Sequence, residues 1–158
     1  MRLKIIPFLV LLCIGSFFSC QKDCSPIPSI EFVSVSSDYM VQNGMDSLFL
    51  KFKFTDGDGN LGSDVDNNIF VKDSRTDQII AEYKIPDYLG TSTNNSCRTG
   101  EISLVVYSQC CIYPDSSSCY YNQLFPTNTM NYQIQIQDQA GNLSNTIESD
   151  AITLDCQL

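Results

Sequence analysis

Eight cysteines, 14 aspartates among 18 acidic residues and no histidine define the chemistry open to this chain. Without imidazole there is no Ser-His-Asp or Cys-His nucleophile, and zinc loses its nitrogen ligand. The cysteines show no CxxC spacing, which argues against a thiolate zinc site. Two kinds of chemistry are left. Cys24, Cys97, Cys110, Cys111, Cys119 and Cys156 form an even set that can pair as disulfides in an oxidising compartment. The carboxylates can hold a hard cation or, in pairs, hydrolyse. No spacing singles out a catalytic pair, so the chain is not expected to be an enzyme, and a carboxylate-dependent hydrolase is the least favoured reading.

The densest run of hard oxygens is Thr55-Asp56-Gly57-Asp58-Gly59-Asn60-Leu61-Gly62, with Asp64 and Asp66 just beyond. A second polar motif is Asp138-Gln139-Ala140-Gly141-Asn142-Leu143-Ser144-Asn145. Asp56, Asp58, Asn60, Asp64, Asp66 and Asp138 are therefore candidate ligands for Ca²⁺, which gathers carboxylate, amide and carbonyl oxygens. The EF-hand register fails. Counted from Asp56, its Gly and Glu places hold Leu61 and Asn67. The competing account is a tight, solvated turn in which Asp and Gly supply positive-φ positions.

The elements that must position these residues read as strands. Ile30–Val35 is the first. In Leu48–Phe54, Leu48, Leu50, Phe52 and Phe54 fall on one face and two lysines on the other, the alternation of a half-buried strand. Ile69–Lys72, Ile79–Ile85, Ile102–Tyr107, Tyr132–Gln137 and Ile147–Leu154 follow. No segment carries a helical apolar stripe, and Asp outnumbers Glu 14 to 4, a skew toward turns. Seven such strands predict an all-β fold, a seven-stranded immunoglobulin-like antiparallel sandwich spanning residues 29–158. Tyr132 is either its tyrosine corner or a core aromatic.

That order sorts the loops onto two ends. The Asp-rich loop, the loop Pro86 to Gly100, the loop at Asp138 and the N-terminus share one end. The loop Ser108 to Met130 and the C-terminus share the other. Cys24 is then expected to bond Cys97. Cys156 is expected to bond Cys110 or Cys111, and Cys119 the cysteine left over. The long loop also carries Tyr113, Tyr120, Tyr121 and Phe125, a candidate recognition surface stiffened by cysteines. The alternative is that these aromatics cap the open end of the sandwich.

The N-terminus has its own pattern. Arg2 and Lys4 precede an uncharged run from Ile5 to Ser19, too short for a comfortable membrane span. The run ends Phe17-Phe18-Ser19-Cys20, which resembles a lipobox, with Phe17 where Leu is usual. Residues 1–19 then read as a lipoprotein signal peptide, Cys20 as the lipidated residue, and 20–28 as a linker. The acyl chains, palmitate among them, would anchor the chain in the outer membrane of a bacterial cell envelope. Gln21-Lys22-Asp23 resembles the charged tags of surface-exported lipoproteins. Loss of Arg2 and Lys4 takes the formal charge from −9 to −11, which argues against nucleic acid as a partner.

The lipobox and the two loop motifs together resemble Bacteroidota-type lipoproteins with one immunoglobulin-like domain, mostly of unassigned function. The Asp-x-Ala-Gly-Asn piece also resembles a loop of bacterial adhesin repeats, some of which bind calcium. The resemblance implies a lipid-anchored, non-enzymatic binding or structural module with a protein or glycan ligand. The alternative is an accessory subunit of an envelope complex handling polysaccharide or nutrients.

Overall fold

A computed structural model describes residues 24–44, 46–87 and 97–157. The expected signal peptide, Cys20 and the first linker residues lie outside the described residues, as do residues 88–96 of the loop after Ile85. The described residues form ten strands: β1 (Ser29–Val35), β2 (Tyr39–Val41), β3 (Ser47–Asp56), β4 (Ile69–Asp73), β5 (Gln78–Tyr83), β6 (Arg98–Tyr107), β7 (Thr127–Met130), β8 (Tyr132–Ile136), β9 (Ile147–Glu148) and β10 (Ile152–Asp155). They lie in three sheets ordered β1-β3-β6, β2-β10-β7 and β5-β4-β8-β9. The architecture is all-β and sandwich-like.

The expected count of seven strands and the expectation of uniform antiparallel pairing both need correction. Each of the seven expected segments is a strand, but the last is split into β9 and β10. β2 is three residues long, too short to show a period, and it pairs in parallel with β10. β7 is polar in three of its four residues and reads as loop; its pairing with β10 makes it a strand and shortens the long loop to Ser108–Pro126. A single residue, Asn131, separates β7 from β8. Pairing slips by one residue between Met130↔Ile152 and Gln133↔Glu148. Side chains fill the slip: the Tyr132 amide donates to Ser149 Oγ (2.9 Å) and Asn131 Nδ2 to the Ser149 carbonyl (2.8 Å).

The core follows from alternation. β3 buries Leu48, Leu50, Phe52 and Phe54 against Ile69, Val71, Ile134 and Ile136 of the facing sheet. Each such side chain contributes roughly 1.5–3 kcal/mol on burial. Phe54 is opposite Gly100 in the ladder, and a Cβ there would sit 2.6 Å from its ring, so the aromatic occupies the place of the missing side chain. Tyr132 is wholly buried, and its hydroxyl donates to the Tyr107 carbonyl at the end of β6 (2.9 Å).

Register fixes the two ends. Ser29↔Thr55, Asp56↔Arg98 and Ile69↔Ile136 share one, and Ser47↔Tyr107, Asp73↔Tyr132 and Thr127↔Asp155 the other. This is the division expected from strand order.

Candidate functional site

Asp56 continues the inward stripe of β3 by one step beyond Phe54, where the alternation demands a core residue. It is 0 % exposed, and neither carboxylate oxygen has a hydrogen-bond partner. The Oδ1 of Asn60, four residues on, is buried and unpartnered as well. Burial first, then the charge of Asp58, push the Asp56 carboxyl up to about 6; Asp138 adds to the rise, and the Asn60 amide opposes it. Asp58 is exposed, and its Oδ2 accepts from Asn60 Nδ2 at 2.9 Å. Gly59 turns the chain at φ 73°. Gly57 has no room for a side chain, because the carbonyls of Cys24 and Ser25 would lie 2.5 and 2.3 Å from its Cβ. The N-terminal segment thus packs directly onto the Asp-rich turn.

The second motif is a lock between loops. Asp138 is satisfied within its own turn: Oδ1 accepts from the Asn142 amide (2.7 Å) and Oδ2 from Asn142 Nδ2 (2.8 Å). Gln139 reaches across. Its amide donates to the Asn60 carbonyl (3.1 Å), and its Nε2 donates to the Gly62 carbonyl and to Asp87 Oδ1 (3.2 Å). Asn145 clamps β1 by accepting from the Ile30 amide and donating to its carbonyl, both at 2.8 Å.

The expected six-residue calcium set is therefore not assembled. Asp64 and Asp66 are exposed on a turn whose Val65 and Asp66 amides bond Ser63 Oγ. Asp138 already has its donors. Among the described residues no three Asp, Glu or Cys side chains gather for direct coordination. Asp56, Asp58 and Asn60 stay together as a smaller group of two carboxylates and one amide oxygen.

Among the described residues three disulfides form: Cys24–Cys97 at the Asp-rich end, and Cys110–Cys119 and Cys111–Cys156 at the opposite one, with Cα–Cα distances of 5.6, 4.7 and 5.8 Å. The last two close the loop Ser108–Pro126. The structure decides which neighbour bonds Cys156: Cys111 and Cys156 are both wholly buried. Tyr113 corrects the recognition set. It is 3 % exposed, its hydroxyl donates to the Tyr120 carbonyl, and its ring packs on Tyr120 (centroids 4.8 Å) and Phe125 (6.1 Å). It caps the core, while Tyr120, Tyr121 and Phe125 stay exposed beside Leu124, which is 83 % exposed.

Sequence reasoning missed the residues that hold this loop. Gln42, wholly buried, accepts from the Cys111 amide (3.0 Å) and donates to the carbonyls of Cys156 (2.6 Å) and Tyr120 (3.3 Å). Arg75 grips Asp73 through Nε and Nη2 (3.0 and 2.6 Å) and donates to Asn128 Oδ1 (2.6 Å) and the Cys110 carbonyl (3.0 Å). Both reach the loop and its flanking strands through partners 35 or more positions away, so no local pattern marks them. Leu124 is one aliphatic residue in a loop, and such a residue has no pattern that tells exposure from burial. The chain matches no model of a known protein family, and no curated protein or solved structure matches it either.

Proposed function

We propose that this chain is a lipid-anchored module of a bacterial cell envelope that presents the loop Ser108–Pro126 to a protein partner. The observation that carries the reading is the contrast within that loop. Two disulfides, Gln42 and Arg75 fix its backbone, yet Tyr120, Tyr121, Leu124 and Phe125 stay in water. Rigid aromatic area binds with little loss of side-chain entropy. Leu124 favours a protein over a glycan: an aliphatic tip fits an apolar pocket, whereas sugars stack on ring faces. An envelope complex that handles polysaccharide or nutrients is one setting for such a partner.

The fold of the module reads as an immunoglobulin-like sandwich. β1-β3-β6 and β5-β4-β8-β9 follow the strand order of its two sheets. Tyr132 opens β8, where a tyrosine corner would sit, but its hydroxyl reaches Tyr107, 25 residues upstream, a longer span than that motif makes. Because Cys24 and Ser25 pack at the Asp-rich end, a tether at Cys20 holds that end toward the membrane and turns the aromatic loop outward.

A photo-crosslinking residue at Leu124 in intact cells tests this. A discrete protein adduct is expected, and none from the same probe at Val65, which is 84 % exposed at the other end. Equal labelling at both positions, or none, overturns the reading. A glycan-array signal lost in the Tyr121→Ala, Phe125→Ala variant would replace the protein partner with a sugar.

A further inference from the structure

We propose that Asp56, Asp58 and Asn60 form a Ca²⁺ site where β3 turns toward the N-terminal segment. Both oxygens of Asp56 and the Oδ1 of Asn60 are out of water and make no hydrogen bond, and the nearby Asn60 backbone amide only partly offsets the burial of the Asp56 carboxyl. A buried carboxylate without a counter-charge or donors is strongly unfavourable. All three atoms are acceptors, so a donor side chain elsewhere does not explain them. A proton on Asp56 would serve one oxygen and leave the others bare. A cation serves all three at once.

The donor set selects the ion. Carboxylate and amide oxygens are hard ligands, and histidine is absent from the chain. Two carboxylates match the charge of a divalent ion. Asp58 accepts from Asn60 Nδ2 with one oxygen, and the same hydrogen bond orients the Asn60 amide. Calcium accepts such an incomplete protein set, with main-chain carbonyls and water filling a flexible shell, whereas magnesium demands a stricter octahedron. The turn is held for this purpose from two sides: the Cys24–Ser25 segment lies on Gly57, and Gln139 bonds the Asn60 carbonyl. An ion here would join β3 to the loop lock beside it. The site is independent of the aromatic loop at the other end.

The test uses the full chain in detergent, titrated with calcium chloride after treatment with chelator. Isothermal titration is expected to show one site, and saturating calcium to raise the melting temperature by about 5 °C or more. Asp56→Asn should abolish both effects and melt above the wild type in chelator, since it removes the buried charge. Asp58→Asn, an exposed position that does not threaten folding, should weaken binding at least about tenfold; that loss is expected because it deletes a charged ligand. Asp64→Asn with Asp66→Asn should leave the titration unchanged. No heat and no thermal shift in the wild type, or a response that survives Asp58→Asn at full strength, overturns the proposal.

Discussion

At the Cys-rich end every buried side-chain nitrogen and oxygen of the described residues has a hydrogen-bond partner. Asp73 and Arg75, 5 % and 14 % exposed, form a bidentate pair, and Gln42 uses its oxygen and its amide hydrogens on three backbone groups. Two disulfides stand behind them. The Asp-rich end is built otherwise. One disulfide and a set of hydrogen bonds from side-chain amides hold it, and neither oxygen of its most deeply buried carboxyl, Asp56, is hydrogen-bonded. The same sandwich thus has one end that is saturated inside and apolar outside, and another that is satisfied outside and open inside. The first arrangement suits a rigid platform for another molecule. The second suits an internal ligand that completes the structure.

Breaking the covalent end should have the largest effect. Replacing Cys111 and Cys156 together by Ala opens a loop of 45 residues and should lower stability by about 4 kcal/mol in urea unfolding. The Cys110, Cys119 pair closes only 9 residues and should cost about 2.6 kcal/mol by the same measurement. Arg75→Ala falls between these two. It strands Asp73 in a site with little water, and a loss of about 3 kcal/mol is expected, read as a lower denaturation midpoint with an unchanged slope. At the opposite end Asn145→Ala removes two hydrogen bonds to Ile30 and should cost about 1–2 kcal/mol; faster amide exchange at Ile30 would localise it. Smallest is the effect of Tyr121→Ala with Phe125→Ala, exposed side chains whose loss should move stability by about 0.5 kcal/mol or less while abolishing the Leu124 adduct. A large destabilisation there would make them caps of the core, as Tyr113 is, and erase the contrast between the ends.

Much of the frame was legible beforehand because it rests on local signals. The alternation in Leu48–Phe54 and Tyr132–Gln137 reports which side faces the core, and both segments form strands with that facing. The disulfides were legible to within one choice, since strand order alone sends Cys24 and Cys97 to one end and the other four to the opposite end. The stripe also held an unread signal: carried two residues past Phe54, it makes Asp56 an inward-facing acid. Reading the motif as six equivalent oxygens hid that. Asp64 and Asp66 share its composition but lie beyond the end of the strand, so nothing turns them inward.

The sequence by itself determined seven strand-bearing segments, the absence of imidazole chemistry and the pairing of cysteines by end, because each depends on periodicity, order or composition along the chain. Only the tertiary structure decided that Cys111 rather than Cys110 meets Cys156, that Tyr113 is interior while Leu124 is not, and that Gln42 and Arg75 hold the loop. It alone showed Asp56 buried with its oxygens unanswered. These are questions of which atoms from distant segments meet in three dimensions. A buried polar group is judged by its partners, and partners 69 or 114 positions away leave no trace in a local pattern.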